Sequence, residues 1–245
     1  VVSTWSRGKQ VLDNGEMLVH YEPAEHDPCL LNTTRLLNPI TPDSFKIAAP
    51  EGASKVKVLC MDTLPWIPIT QPREVELDCV DGYVQCDVEQ DVLYIAQVER
   101  YGKNGNIGKA FMGGFHMTSG AIASTVGHDN HNVIVMGTNF EDMAQAVNRL
   151  IEIGGGQILV DGGEIIKEVA YPICGLLSDL SVEDLAAEKA QLNAACAERG
   201  CIISIPMMFL SFICLAALPG FAITDHGFID VMSLKVIDPV LGVVE

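Results

Sequence analysis

Two hexapeptides with strict period-two alternation constrain this chain most: Lys55-Val56-Lys57-Val58-Leu59-Cys60 and Glu74-Val75-Glu76-Leu77-Asp78-Cys79. Successive side chains of an extended segment point to opposite faces, so alternating charged and apolar residues sort into a wet face and a buried face. The pattern predicts strands of a sheet with one face in water. Apolar runs at 92–98, 121–126 and 133–136 add further strands, the first ending in Glu99-Arg100. Asp161-Gly162-Gly163 reads as a hairpin turn joining strands at 158–160 and 165–169. Helices come later in the chain. Asn139 can cap one, with Asp142 at the third position and Met143, Ala146, Val147, Leu150 and Ile151 on one face before Gly154-Gly155-Gly156. Ser181 with Asp184 repeats the cap, and that helix is expected over 182–199, stopping at Gly200. Strands followed by strands mixed with helices predict the α+β class: mainly antiparallel sheet packed with helices.

The first 19 residues read as short strands in tight turns, with Asn14-Gly15 as a two-residue hairpin signal. Residues 22–42, which hold Pro23, Pro28, Pro39 and Pro42, lack periodicity and read as a connector. A division into 1–40, a β-hairpin with its linker, and 41–245, an α+β domain, is expected. The chain opens on Val1-Val2 without an initiator Met, which suggests that something precedes it. No signal peptide is evident, and the eight scattered cysteines build no zinc knuckle. Reduced thiols and a cytoplasmic location are the expectation.

At 49% apolar and 19% charged residues the composition is that of a folded protein. Fifteen Lys+Arg against 32 Asp+Glu give a net charge of −17. Such acidity argues against nucleic acids and anionic membranes, both of which require clustered cations. The 23 residues from 201 to 223 carry no charge, long enough to span a bilayer. Pro206, Ser204, Ser211, Pro219 and Gly220 interrupt them and no Lys/Arg flanks them, so the expectation is a buried helix at about 207–218 and no membrane association.

Gly102, Gly105 and Gly108 form G-x-x-G-x-x-G, which is neither the dinucleotide fingerprint nor a phosphate loop. A flexible glycine loop is the plainer reading. The polar cluster lies between two predicted strands, where residues 124–132 hold two imidazoles, a carboxylate, two carboxamides and two hydroxyls. Strand connections carry sites because a rigid sheet holds them while their tips stay accessible, and His beside Asp suits proton handling. The same residue types also serve turns, so site and turn both stay open. His128, Asp129 and His131 offer two or three metal ligands, but no second cluster completes a centre. A Ser124-His128-Asp129 triad lacks the G-x-S-x-G elbow. His20, His26 and His226 are isolated in sequence and read as structural or solvated.

Gly105-Asn106-Ile107-Gly108, the whole of 120–139 (Gly120-Ala121-Ile122-Ala123-Ser124-Thr125-Val126-Gly127-His128-Asp129-Asn130-His131-Asn132 onward), Gly154-Gly155-Gly156, Pro172-Ile173-Cys174-Gly175, Leu210-Ser211-Phe212 and Ile223-Thr224-Asp225-His226-Gly227 follow one another in order. Together they resemble the C-terminal domain of bacterial adenine deaminase over about residues 30 to 231. Gly127 and Asn130 stand where that family usually has Ala and Ser, and Met117-Thr118-Ser119 replaces a more basic stretch. Adenine deaminases resemble amidohydrolases, whose His-x-His ligands sit on a (β/α)₈ barrel of about 250 residues. This chain has no His-x-His, and its first 19 residues look like the returning edge of the small β-sandwich beside such a barrel.

For a complete enzyme the resemblance implies replacement of the adenine 6-amino group by oxygen, giving hypoxanthine and ammonia. Manganese or iron in the barrel would supply the nucleophile. This chain is expected to bind no metal of its own and to be inactive without the barrel, and no residue in it is singled out as catalytic. The expected partners are an amidohydrolase barrel in cis or in trans, adenine, and further copies in a homo-oligomer. Ser124, His128, Asp129, His131 and Asn132 are the candidates for a loop that closes over the substrate; the other reading is that the loop only organises domain packing. The alternatives for the whole chain are a stand-alone purine-binding or regulatory module and a hydrolase using its own His/Asp cluster.

Overall fold

The computed structural model describes residues 1–20 and 25–244. Residues 22–24 of the expected connector, Pro23 included, lie outside the described residues. The chain opens with β1 (Ser3–Ser6), β2 (Lys9–Asp13) and β3 (Glu16–Met17), an antiparallel sheet of three strands. Asn14 and Gly15 both have positive φ, +47° and +84°, as a two-residue turn matched to strand twist requires.

The remaining strands are β4 (Lys55–Leu64), β5 (Ile67–Val80), β6 (Tyr83–Val84), β7 (Leu93–Val98), β8 (Ile107–Gly113), β9 (Ala121–Ser124), β10 (Val133–Gly137), β11 (Gly156–Asp161), β12 (Glu164–Ala170), β13 (Phe221–Thr224), β14 (Gly227–Asp230), β15 (Lys235–Ile237) and β16 (Val240–Val243). Among the described residues three α-helices accompany them: α1 (Phe140–Glu152), α2 (Val182–Ala197) and α3 (Pro206–Ile213). A ten-stranded sheet runs β12-β11-β9-β10-β7-β8-β4-β5-β6, with β16 also pairing β4. Its pairs are antiparallel except β4 with β8. β4 meets two partners in turn, β16 at Val56–Val58 and β8 at Cys60–Asp62. β13, β14 and β15 form a third, small sheet. The class is α+β, as expected.

The expectation of a wet face holds only at one end of the large sheet. On β4 and β5, Lys55 and Lys57 pair across strands with Asp78 and Glu74 at 3.5 and 3.3 Å. Every residue of β7, β9 and β10 is buried. Both faces of the sheet's centre are covered. On one, Met143, Ala146, Val147 and Leu150 of α1 pack with Ile40 and Phe45 against Val56, Ala96, Ala123, Val135 and Ile158. On the other, Leu192 of α2, Phe209 and Leu210 of α3, and Ile223 and Phe228 of the small sheet pack against Leu93, Ile95, Ile122, Ile134 and Leu159. Strands buried on both faces become uniformly apolar, which is why 92–98 and 133–136 show no alternation.

The caps behave as the sequence predicts. The Asn139 side chain accepts the Asp142 amide at 2.8 Å, and the Ser181 hydroxyl accepts the Asp184 amide at 3.0 Å. The uncharged run 201–223 differs from expectation in length: α3 has eight residues and ends at Ile213 rather than near 218. Beyond it the chain turns through Leu215 and Leu218 so that Phe221 can exchange two hydrogen bonds with the Thr70 hydroxyl, at 2.6 and 2.7 Å. Among the described residues no helix is long and apolar enough to cross a membrane.

Candidate functional site

The loop 125–132 leaves β9 at Ser124 and returns as β10, and its base is fixed by segments far away in sequence. The Thr125 hydroxyl donates to the Gly175 carbonyl at 2.6 Å and accepts the Gly156 amide at 2.8 Å. Gly155 has φ +116°, and a Cβ there would fall onto Gly175 Cα, so this approach of two backbones requires glycine. Arg100, only 2% exposed, donates through Nε to the His131 carbonyl and through both Nη atoms to the Cys174 carbonyl at 3.2 Å. The His128 amide donates to the Ser211 carbonyl of α3 at 2.9 Å, and its ring packs on Phe212 with centroids 4.9 Å apart. Asn130 and Gln97 exchange a reciprocal pair of side-chain amide bonds at 3.0 and 3.1 Å, and the Tyr101 hydroxyl donates to the Asn130 carbonyl at 2.5 Å.

Two of the five residues singled out by sequence point into the protein. Ser124 is fully buried, and its hydroxyl accepts the Val126 amide at 3.0 Å. Among the described residues no hydrogen bond joins it to His128, so the Ser-His-Asp arrangement does not form. Asn132 is 4% exposed and accepts the Arg100 amide at 3.3 Å. The other three form the tip: Asp129 is exposed, and His128 and His131 are half-buried with ring centroids 5.8 Å apart. The His128–Asp129 peptide is cis. Burial, with His128 and Arg100 nearby, holds the His131 imidazole below its ordinary value of 6.5, although Asp129 opposes this. His131 is therefore neutral near pH 7, and its enclosed Nδ1 has no hydrogen-bond partner among the described residues. Among those residues no group of three or more His, Cys, Asp or Glu side chains is placed to hold a metal ion.

Two of the three departures noted in the sequence, Gly127 and Asn130, fit their surroundings. A methyl at Gly127 would come 2.8 Å from Cys214 Sγ, so the small residue accommodates the thiol. Asn130, in place of a serine, supplies the carboxamide paired with Gln97. Sequence reasoning missed Arg100 and Thr125. The available signal was Glu99-Arg100, two charges directly following a six-residue buried strand, where burial demands partners.

Glu99 accounts for the glycine-rich segment. Its carboxylate accepts the amides of Tyr101, Lys103, Asn104 and Gly105 at 2.6 to 3.3 Å, so these amides already hold an internal anion in place of a phosphate. Burial raises the Glu99 carboxyl pKa, but these four amides outweigh it and hold the value below the ordinary 4.5. A folded value below the unfolded one means that Glu99 stabilises above 4.5 and that this contribution is lost as the pH falls from 4.5 through the folded value. Glu99→Gln is expected to cost about 1–2 kcal/mol at neutral pH and to lose less stability on acidification than the wild type. Urea midpoints of both proteins across that range test it; parallel acid profiles would refute the assignment.

Beside the loop, Val126 forms one wall of a cleft of about 320 Å³ that also contains Gln157, Tyr171 and Lys189.

The adenine deaminase C-terminal domain family matches residues 68–235. The chain is 37% identical over 235 residues to an adenine deaminase of Moorella thermoacetica, covering 96% of this chain and 39% of that protein. It is 39% identical over 235 residues to adenine deaminase 1 of Carboxydothermus hydrogenoformans, covering 95% and 38%. Against an adenine deaminase of Clostridium botulinum it is 39% identical over 223 residues, covering 91% and 37%. The chain thus spans under two fifths of the length of these curated relatives.

Proposed function

We propose, from the premise that this chain belongs to the adenine deaminase C-terminal domain family, that it acts as the C-terminal portion of a metal-dependent adenine deaminase, which converts adenine and water to hypoxanthine and ammonia. The observation that carries the reading is the construction of the 125–132 loop. An exposed Asp129 and two half-buried imidazoles stand on a tip whose base is held by Thr125, Arg100, Gly175 and Ser211. Holding recognition groups rigidly before substrate arrives lowers the ordering cost of binding.

In this reading the loop faces the mouth of an amidohydrolase barrel, in the same or a neighbouring subunit, and closes over the purine. His128 and neutral His131 hydrogen-bond ring nitrogens, while Phe212, against His128, helps exclude water. In this reading the manganese or iron of the complete enzyme is held by the barrel; among the described residues of this chain no group of three or more His, Cys, Asp or Glu side chains is placed to hold one. Eight unpaired cysteines accord with a reducing, cytoplasmic compartment.

In a full-length enzyme bearing this domain, His128→Ala and His131→Ala are each expected to lower kcat/KM by more than about tenfold, with folding unchanged. Wild-type kinetics in both variants would overturn the closing role and leave the loop as a packing element. The chain alone is expected to release no ammonia from adenine and to gain activity on addition of the barrel; turnover by the chain alone would refute the division of labour.

A further inference from the structure

The cleft beside the loop lies between α2, Gln157 of β11 and the segment 171–178 that follows β12. Lys189 Nζ donates to Gln157 Oε1 at 3.2 Å and to the Tyr171 hydroxyl at 3.4 Å, and that hydroxyl donates to the same Gln157 oxygen at 3.2 Å. Gln157 and Tyr171 are 3% and 5% exposed, so the triangle fixes the ammonium from beneath. Among the described residues Lys189 forms no ion pair, in a chain with 32 acidic side chains. Its neighbour Glu188 is taken by Lys167 at 2.5 Å. Burial alone depresses the Lys189 amine, as for a cation whose charge no carboxylate compensates.

We propose that this cleft binds a small aliphatic monocarboxylate, with Lys189 as its cation. An ammonium has three protons. Two are engaged by Gln157 and Tyr171, which leaves one charge-assisted donor for a ligand. No other Lys or Arg lines the cleft, so one positive charge matches a monoanion. A phosphate group requires several donors or a helix N-terminus. The other walls are Val126, Leu176, Leu177 and Leu185, which suit a short branched hydrocarbon, and Ser178, whose hydroxyl accepts the Leu180 amide at 3.3 Å. At about 320 Å³ the space lies at the small end of ligand sites.

The test titrates the protein with 3-methylbutanoate and, separately, with inorganic phosphate, following backbone and side-chain amide resonances. Saturable binding with Kd of roughly 1–10 mM is expected for the carboxylate, with shifts centred on Gln157, Tyr171 and Leu185. Lys189→Met, which keeps the aliphatic stem, is expected to weaken it at least about tenfold. Inorganic phosphate is expected not to saturate. Absence of saturation with the carboxylate, shifts mapping elsewhere, equal affinity for phosphate, or unaltered binding by a folded Lys189→Met would each overturn the proposal. If that variant fails to fold, the wild-type shift map and the phosphate comparison still decide.

Discussion

Gly108→Ala is expected to destabilise the protein by about 3 kcal/mol or more, at the upper end of overpacking penalties. Gly108 is buried in β8, and the β13–β14 turn presses on it from the small sheet. A Cβ at 108 would fall inside the Thr224 carbonyl oxygen and lie 2.8 and 2.9 Å from the amide nitrogen and Cα of Gly227. Every one of these obstacles is backbone, so no side-chain rotation relieves the clash. The small sheet must lift away, exposing Ile223 and Phe228, which are 0% and 1% exposed in the fold. Chemical denaturation with the far-UV signal measures the loss, and a stability within 1 kcal/mol of wild type would contradict this packing. The contrast is Gly102→Ala: its Cβ would meet only Arg35, at 3.5 and 4.0 Å, although its φ of +65° still carries a penalty of about 1 kcal/mol.

Arg100→Met should cost about 2–4 kcal/mol and release the loop. Two effects oppose each other. Removing a buried guanidinium that has no carboxylate partner among the described residues relieves desolvation, which favours the variant. Against this, the partly buried carbonyls of His131 and Cys174 lose three charge-assisted donors, at about 1–3 kcal/mol for each unsatisfied group. The second effect prevails because methionine offers no donor to either carbonyl. Arg100→Lys should recover only part of the loss, since an ammonium lacks the planar fork that reaches both carbonyls. Hydrogen exchange supplies the local readout: the His131 amide, bonded to the Gly127 carbonyl at 2.6 Å, should lose protection in the variant before the global fold does. Unchanged protection there would separate Arg100 from loop order.

What the sequence made legible is local. Asn139 and Ser181 cap the helices they were expected to cap, because a cap is a hydrogen bond across three residues. The turns at Asn14-Gly15 and Gly162-Gly163 form because only particular residues accept consecutive positive φ angles. The end of α3 was not legible, because an apolar run records burial without recording where a chain must bend to reach Thr70. Of the site, the polar tip was visible by composition. The inward turn of Ser124 and Asn132 was not, since elements distant in sequence cover both faces of β9 and Asn132 meets the Arg100 amide 32 positions away.

By itself the sequence determined an acidic α+β chain with its strands, caps and turns in order, and a family relationship read from motifs spread along its length. Only the tertiary structure decided why those motifs recur together. Gly108 receives the Thr224–Gly227 turn, and Gly155, Thr125, Gly175 and Arg100 meet beneath the loop that ends in His128 and His131. The physical reason is range. Periodicity and capping act over a few residues, whereas two backbones in contact across 20 to 120 positions leave only isolated glycines and an isolated arginine in the sequence.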